Sequence, residues 1–412
     1  MRLWLHINHI FAHRREALNM PVELQKIPGK ISEPAPPILS RWLIVILFIT
    51  GSGIILSLYL WPTDVSTHTD WFRFCTIALP LFSGLICYVI RLGVYENKRE
   101  RVLYWNHLHR EQYEQQVLLG QRSVGLLGKA YITPAGCNKL AAALLRGEGL
   151  LRSQYFPHFQ STRMTARLDT SDIIFTEESY KDRLVSYLTK LICMLDSELQ
   201  AIPGAISVRI QHDGSINNDE FRNIWQGIFP KVYVVKQLLI DTEGDGLMWL
   251  DAWMDHQCTP VMLSIEVNLF LEPHNYQTES VSALLLASSK WLSQNNVTPE
   301  VVIHRPVVAT DNFQSTENML QWGSLSAKES HVLWRTRIDQ DAVVNLAQQA
   351  AKLNYSPGED EVYFLDDIFG RPAAAIGNIL LICACEYAIE SGKPQWLIAQ
   401  HKTVHQAIVR RA

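Results

Sequence analysis

Two pairs of side chains in this sequence have a spacing found in metal or redox sites. Cys383 and Cys385 form a CxC pair, and His107 and His109 are separated by one residue. A CxC site wants two further ligands nearby, and residues i and i+2 of a helix point to different faces. We therefore interpret the cysteines as part of an apolar core and expect no metal site at the histidines.

An acidic segment has the order of residues that begins a calcium loop. Asp241, Glu243, Asp245 and Gly246 lie in DTEGDG. The twelfth position of a calcium loop carries a bidentate glutamate, but here that position is Ala252. The missing glutamate is the ligand that largely determines calcium affinity, so the segment is better interpreted as a surface turn than as a calcium site.

Candidates for nucleophilic or acid–base catalysis are few. The sequence contains no GxGxxG, P-loop, HExxH or GxSxG motif. The HDG sequence at 212–214 indicates a turn, and His304-Arg305-Pro306 offers a base and a cation with no nucleophile close in sequence. Cys258 precedes a strand in QCTPVML, whereas a reactive thiol favours a helix N-terminus. The residues predict no catalytic, cofactor-binding or metal-binding site.

Composition narrows the class of protein. The chain has 412 residues, a net charge of −4 and 48% hydrophobic residues, so no global positive field would attract nucleic acid. Its seven cysteines are dispersed without a framework spacing, which indicates reduced thiols and a cytoplasmic soluble part.

Two uncharged segments near the N-terminus are long enough to cross a membrane. They are WLIVILFITGSGIILSLYL at 42–60 and the segment 74–90. At about 1.5 Å per residue the first reaches the roughly 30 Å of a hydrocarbon core. Buried core helices rarely run this long without charge, so we expect a transmembrane helical hairpin over 42–95 that contacts membrane lipids.

Basic residues predict the orientation of this hairpin. Several arginines and lysines flank both spans, whereas the loop between the spans contains only Arg73. The positive-inside rule then places both termini in the cytoplasm of a bacterial inner-membrane protein. Residues 1–41 form a cytoplasmic N-terminal segment in this scheme, either along the membrane surface or packed on the protein.

The rest of the chain predicts a helical juxtamembrane region at 96–170 and an α/β domain at 171–412. Near-continuous apolar strands that alternate with helices indicate a buried sheet. The expected strands are 207–210, 231–240, 261–271, 300–308, 331–338, 362–368 and 395–400. The expected helices are 217–229, 247–257, 279–294, 340–353 and 372–391, the last with Pro372 at its first position and Gly392 after its end.

Two copies of this alternation, with a small-residue-rich helix in the second, resemble the layered thiolase-like fold of condensing enzymes. Those enzymes place a nucleophilic cysteine at the start of the helix after the third strand of the first half. The matching stretch here is taken as EPHNYQTESVSALLLASSKWL at 272–292, which has no cysteine. Their second half supplies catalytic histidines in Gly-rich loops. The loops here read DDIFGRP at 366–372 and AQHKTVHQ at 399–406, in which only His401 and His405 are available. The resemblance therefore implies a degenerate thiolase-like domain that is not an enzyme.

Three features are similar to adaptors found beside type VI secretion phospholipase effectors. They are the N-terminal anchor, the segment SALLLASSKWL followed by IHRPV, and the degenerate thiolase-like end. That resemblance implies a non-catalytic membrane-anchored adaptor or accessory protein that binds an effector or secretion component. This chain departs from the adaptors in having two spans. The alternatives are a membrane-tethered acyl-thioester-handling enzyme using Cys258 or His304, and a structural scaffold of a secretion membrane complex.

Overall fold

The computed structural model describes residues 24, 27–62, 66–146, 149–168, 175–244, 246–255, 259–311, 313–355, 357–358, 361–371 and 377–412. Two compact units divide the chain, one comprising Pro21–Leu118 and the other including Leu119–Ala412.

Two long helices dominate the first unit. Helix α1 is Leu39–Leu60, and helix α2 is Asp70–Gly120 with a π-helical turn at Phe74–Ala78. Both are long and apolar enough to cross a membrane, and none of the residues of α1 is buried. A core helix of a soluble protein would be mostly buried, so the exposed apolar surface of α1 favours a lipid environment. The two predicted candidate spans are confirmed.

Close backbone contacts hold the two helices together. A Cβ added to Gly53 would lie 2.5 Å from Cβ of Pro80, and one added to Gly84 would lie 3.2 Å from Cγ2 of Ile46. Small residues at such crossings let transmembrane helices approach closely. The Ser57 hydroxyl also donates a hydrogen bond to the Cys75 carbonyl at 3.2 Å, within the π-helical turn.

The segment before α1 is fastened to the later part of α2. The backbone N–H of Ile31 donates to Oδ1 of Asn106 at 3.0 Å, and Nδ2 of Asn106 donates to the Ile31 carbonyl at 2.9 Å. Arg99 and Glu33 add an exposed ion pair at 3.8 Å. One amide side chain therefore satisfies both backbone polar groups of Ile31.

A large mixed sheet organises the second unit. Its strands are β1 Ser123–Ile132, β4 Ile206–His212, β5 Val235–Asp241, β6 Val261–Asn268, β8 Ser280–Ser288, β9 Val301–His304, β10 Val307–Val308, β11 Val332–Thr336, β12 Val362–Phe364, β13 Gln395–Gln400 and β14 Val404–Arg411. The order is β12-β11-β13-β14-β9-β1-β8-β6-β4-β5, with β10 paired to β14. A small second sheet contains β2 Arg152–Phe156, β3 Ser161–Ala166 and β7 Gln277–Thr278.

The two halves of the large sheet have the same pairing pattern. In the first half β5 and β4 are parallel, β4 and β6 are parallel, and β6, β8 and β1 are antiparallel. In the second half β12, β11 and β13 are parallel, and β13, β14 and β9 are antiparallel. Antiparallel pairing of β1 with β9 joins the halves. The chain thus contains one strand pattern twice, related across the β1–β9 seam.

Helices cover both faces of this sheet. They are α3 Leu140–Leu145, α4 Glu177–Met194, α5 Asp196–Gln200, α6 Asn218–Ile228, α7 Met248–Asp255, α8 Ser289–Asn295, α9 Gln314–Trp322, α10 Gln340–Lys352, α11 Leu365–Ile368 and α12 Gly377–Ser391. Helices α7 and α12 share one core with strands of both halves. Helices α4 and α6 pack on the other face of the first half, and α9 and α10 on the other face of the second. Helices α7 and α12 are therefore central, which matches the buried, small-residue-rich character predicted for α12.

Several predicted elements are corrected by the structure. The expected helix at 279–294 is strand β8 followed by the short helix α8. Its sequence SVSALLLAS is rich in leucine and alanine, but eight of its nine residues are buried between β1 and β6, and tertiary packing overrides helix propensity. In the expected helical region at 96–170 the long helix ends at Gly120, and strands β1, β2 and β3 follow with only the short helix α3 and a 3-10 turn among them, so the α/β unit starts near Leu119 instead of 171.

Candidate functional site

The N-terminal ends of the two central helices lie close together, and we call the residues around them the central junction. Its members are Arg209, Gln211, Gly246, Leu247, Trp249, Ser264, Glu266, Gly377, Asn378, His401, Thr403 and His405. A Cβ added to Gly377 of α12 would lie 3.2 Å from the Gly246 carbonyl oxygen and 3.3 Å from Nε1 of Trp249 in α7. The two helix ends therefore approach within van der Waals distance.

A buried carboxylate holds the first described turn of α12. The Asn378 backbone N–H donates to Oε2 of Glu266 at 2.7 Å. The Asn378 amide also donates to the Ser264 carbonyl at 3.0 Å and accepts from the Ser264 hydroxyl at 3.1 Å. A negative charge beside the N-terminal N–H groups of a helix is stabilising.

Glu266 is in turn paired with a buried arginine. Nη1 of Arg209 lies 3.3 Å from Oε1 of Glu266, and both residues are buried at 9% and 1% exposure. The guanidinium stacks over the ring of Trp249 at 4.7 Å and donates to the Gln211 side chain. Breaking a buried ion pair costs stability, because a charge already removed from water loses a partner.

The polar face that carries this pair follows from strand periodicity. Arg209 and Gln211 alternate with Val208 and Ile210 on β4, and Ser264 and Glu266 alternate with apolar residues on β6. In the register of the two strands Arg209 lies beside Ser264, and Gln211 beside Glu266. Because side chains two apart on a strand share a face, the polar residues all point toward α7 and α12. This alternation of polar residues within buried strands is the sequence signal that could have located the junction.

A histidine closes the end of α7. The Leu247 backbone N–H donates to Nδ1 of His405 at 3.3 Å, and the other ring nitrogen pairs with the Thr403 hydroxyl at 2.8 Å. Burial, and then the nearby His401, lower the pKa of His405 to about 4. The ring is therefore neutral near pH 7, with its proton on Nε2 and a lone pair toward the helix.

Gly246 makes room for that ring. It has a φ of +64°, and a Cβ at this position would lie 2.5 Å from Nδ1 of His405 and 3.6 Å from Cβ of His401. A residue with a side chain would be strained there both by its backbone and by the imidazole. His401 and His405, the two histidines expected from the resemblance, thus both lie at the start of α7, where His405 accepts a backbone N–H.

The position expected for a nucleophile is corrected by this topology. The third strand of the first half is β5, and the helix after it is α7, so the matching stretch is 241–255 and not 272–292. That stretch reads DTEGDGLMWLDAWMD and contains no cysteine or serine. Its turn is held by the Asp241 side chain, which accepts from the Glu243 backbone N–H at 3.0 Å, and by a Lys402–Glu243 contact at 3.1 Å. Asp245 lies outside the described residues.

Arg305 and His304 lie side by side in the sequence but have different surroundings in the fold. Arg305 is 2% exposed and donates to the carboxylates of Asp251 and Asp255 on α7 and, at 2.9 Å, to the Leu119 carbonyl at the end of α2. Burial, followed by nearby Arg410, lowers the pKa of His304 to about 4. The arginine therefore holds α7 and caps a helix end, since the last carbonyls of α2 lack partners within the helix.

The CxC cysteines and His107, which the sequence offered as possible ligands, make contacts within the fold. Cys383 and Cys385 are buried in α12, and burial raises the pKa of Cys385 to about 12 and that of Cys383 well above its usual value. Their predicted place in the core is confirmed. Nε2 of His107 lies 3.5 Å from Oε1 of Glu111, a carboxylate partner that sequence inspection missed. Cys258 and Pro372 fall outside the described residues.

The HDG segment is the turn that the sequence indicates. His212 ends β4, and its Nε2 lies 2.8 Å from Oδ1 of Asn218 while its Nδ1 accepts from the Gly214 backbone N–H at 3.2 Å. Burial lowers the pKa of this histidine. Within the described ranges, no group of three or more His, Cys, Asp or Glu side chains has an arrangement suited to a metal ion.

Comparisons with known proteins bear on the fold. A ketosynthase from module 6 of the bacillaene synthase of Bacillus subtilis is similar in structure over 70% of this chain and 70% of its own, with a TM-score of 0.52 and 10% identity. A β-ketoacyl synthase from Burkholderia phymatum matches over 71% of this chain and 100% of its own, with a TM-score of 0.49 and 12% identity. No family model matches the sequence. No curated protein matches it either. The α/β unit therefore has a thiolase-like fold, as predicted.

Proposed function

From this thiolase-like fold and its apolar hairpin, we propose a non-catalytic, membrane-anchored adaptor or accessory protein of a bacterial type VI secretion system. It binds an effector or a secretion component through a cytoplasmic α/β domain. One observation carries the non-catalytic part of the proposal: the segment after β5, where a thiolase-like enzyme holds its nucleophile, contains no thiol and is packed against His405. Without a nucleophile at that helix end, acyl transfer by the route of condensing enzymes has no first step.

The surroundings of that helix end support the same proposal. The buried Arg209–Glu266 pair ties the α12 end to the sheet, and His405 ties the α7 end to the β13–β14 turn. Catalysis of acyl transfer depends on hydrogen-bond donors aimed at a developing oxyanion. Here the N–H groups of Leu247 and Asn378 already have acceptors within the protein.

The secretion assignment is supported by the resemblance of two segments to the adaptor family. The segment SALLLASSKWL runs from strand β8 into helix α8, and IHRPV runs from strand β9 to strand β10. Strands β8 and β9 lie on either side of β1, in the middle of the large sheet. These two segments carry the resemblance, and the partner is the part of the proposal that experiment must establish.

Affinity purification tests the proposal. The tagged full chain is produced in a bacterium that carries a type VI secretion system, solubilised in detergent, and its co-purifying proteins are quantified by mass spectrometry. We expect a phospholipase effector or a secretion component to be enriched over a tagged control membrane protein. Recovery of neither would contradict the adaptor proposal.

An activity assay tests the competing enzyme hypothesis. The full chain is incubated with acetyl- and malonyl-coenzyme A, and thiol release is compared with that of Cys258→Ala and His304→Ala. We expect thiol release to be the same for the wild type and for both variants. A loss of about 100-fold in either variant would establish acyl-thioester chemistry, since that is the scale of a missing catalytic group. Deletion of residues 1–95 addresses the scaffold alternative, because a scaffold loses all function whereas a binding domain keeps its affinity.

A further inference from the structure

A cleft of about 500 Å³ opens in the α/β unit between the last turn of α7, the start of β1 and helix α8. Its floor contains Trp253, Met254 and Trp291, which are 7%, 5% and 7% exposed. The volume lies within the roughly 300–1,000 Å³ typical of ligand pockets, and the lining combines these apolar side chains with polar and charged residues. We call this site the tryptophan cleft.

Cations border the tryptophan cleft on two sides. Lys290 is exposed, and its ammonium forms no ion pair with any described residue. Arg122 is 36% exposed, donates to the Met254 carbonyl at 3.4 Å and lies 3.9 Å from Asp255. Asp255 is already bound by Arg305, which also binds Asp251. Arg122 and Arg305 therefore share the two carboxylates, and Lys290 adds a positive charge at the exposed rim.

This combination of an apolar floor and a cationic rim selects a type of partner. A large apolar side chain would replace water over the two indoles, and a carboxylate beside it would pair with Lys290 or Arg122. Aromatic floors are where protein interfaces concentrate binding free energy, and rim charges set specificity and association rate. Polar groups at the rim, such as those of Gln294 and Ser289, are available to the backbone of an extended segment.

We propose that the tryptophan cleft binds a segment of a protein partner in which a large apolar residue is flanked by acidic residues. The inference rests on the proposed function, because it identifies the surface by which an adaptor would hold its partner. The cleft is built at the opposite strand ends from the central junction, since α7 begins at one site and ends at the other. Partner binding therefore does not require the degenerate acyl site.

Peptide binding to the full chain tests this proposal. The protein is placed in phosphatidylcholine nanodiscs, and fluorescein-labelled peptides DDLFDD, KKLFKK and DDSSDD are titrated by fluorescence anisotropy against empty nanodiscs. We expect DDLFDD to bind at least tenfold more tightly than the other two. Equal binding of KKLFKK would overturn the charge argument, equal binding of DDSSDD would overturn the apolar floor, and no binding of DDLFDD at millimolar concentration would overturn the proposal.

Two rim variants locate the binding to the cleft. Lys290→Glu and Gln294→Glu add negative charge at exposed positions, and each should weaken DDLFDD at least tenfold. Lys231→Glu makes the same charge change at an exposed position outside the cleft and should leave affinity unchanged. Unchanged affinity in both rim variants, with thermal melting like that of the wild type, would place the binding elsewhere and overturn the proposal.

Affinity purification with the same variants separates this inference from the proposed function. If Lys290→Glu captures the partner as the wild type does, the cleft inference fails and the adaptor function stands. If no partner is captured by any form while DDLFDD binds as expected, the adaptor function fails and the cleft remains a binding site.

Discussion

At the residue scale, the central junction is held by a few side chains whose chemistry is already satisfied within the protein. Glu266 accepts from both Arg209 and the Asn378 backbone, and His405 accepts from Leu247. The Asn378 and Leu247 contacts each join the end of a central helix to a strand, and the Arg209 contact joins two strands beneath them. The junction therefore contributes to stability, and its residues are tested by unfolding measurements.

The buried ion pair gives the first prediction. Glu266→Gln removes the carboxylate that pairs with buried Arg209, so we expect the free energy of unfolding to fall by about 3–5 kcal/mol. The double variant Arg209→Met/Glu266→Gln should lose less stability than Glu266→Gln, because the arginine charge is removed as well. The new amide oxygen can still accept from the Asn378 backbone N–H. Chemical denaturation of the full chain in detergent measures both. A double variant less stable than Glu266→Gln alone would show that the two charges are not coupled.

A second prediction concerns the glycine beside His405. Gly246→Ala places a Cβ at a φ of +64° and against the imidazole, so we expect a loss of about 1–3 kcal/mol. Gly227→Ala is the matched control, since Gly227 is an exposed residue of α6 with no atom within 4 Å of an added Cβ. The control should be neutral or slightly more stable, because alanine favours helix. Equal melting temperatures for both variants would contradict the tight fit.

A third prediction follows from the titration of His405. Its folded pKa of about 4 lies below the ordinary 6.5, so the unfolded chain takes up the proton first as pH falls. The contribution of His405 is fully present above pH 6.5 and is lost between pH 6.5 and 4, on the order of 3 kcal/mol. Unfolding of the wild type and of His405→Gln is measured across that range. The wild type should lose stability relative to the variant, and parallel profiles would contradict the assigned protonation state.

At the scale of elements, the hairpin gives a fourth prediction. The Ser57 hydroxyl meets the Cys75 carbonyl, so Ser57→Cys in a Cys87→Ser background should form a disulfide with Cys75 under oxidation. Adding Gly53→Leu should abolish it, because the larger side chain collides with Pro80. Gly51→Leu is the control, since an added Cβ there meets nothing within 4 Å. Mobility on non-reducing gels reads out the bond, and cross-linking that survives Gly53→Leu would contradict this helix crossing.

The same scale shows which elements sequence could predict. Long apolar helices and strands such as β4, β6 and β13 follow from composition and periodicity. Strand β8 does not, because Leu and Ala favour a helix unless neighbouring strands bury both faces, and that condition depends on β1 and β6 far away in the chain. Strand β1 was missed for a related reason: Gly125 and Gly128 dilute its apolar pattern. A Cβ added to Gly125 would lie 2.6 Å from Leu292, and one added to Gly128 would lie 3.0 Å from Glu198, so both glycines face packed side chains.

At the scale of the whole molecule, the orientation in the membrane gives a fifth prediction. Thr67→Cys, in the loop between the spans, should react with a membrane-impermeant maleimide in intact spheroplasts. Exposed Cys137 and Cys193 belong to the α/β unit and should react only after the membrane is permeabilised. A reporter fused after Ala412 should be active only in the cytoplasm. Activity of that reporter only in the periplasm would reverse the topology and remove the proposed cytoplasmic partner.

The candidate site shows the limit of sequence reasoning at this scale. The sequence predicts His401 and His405 but places the matching stretch at 272–292, because strand β1 cannot be recognised from its sequence pattern and the third strand is then β6. Including β1 makes β5 the third strand and moves the site to 241–255. Arg209 and Glu266 lie 57 residues apart, and only the parallel register of β4 and β6 brings them together.

The π-helical turn at Phe74–Ala78 sets the helical phase of everything after it in α2. In this turn the Leu79 N–H bonds to the Phe74 carbonyl, five residues back, which accommodates one residue more than an α-helical turn. Regular α-helical winding of these same residues would rotate the residues that follow by about 100° about the axis. Pro80 and Gly84 would then turn away from α1, so the π-helical turn keeps the contacting faces of the two helices opposite each other.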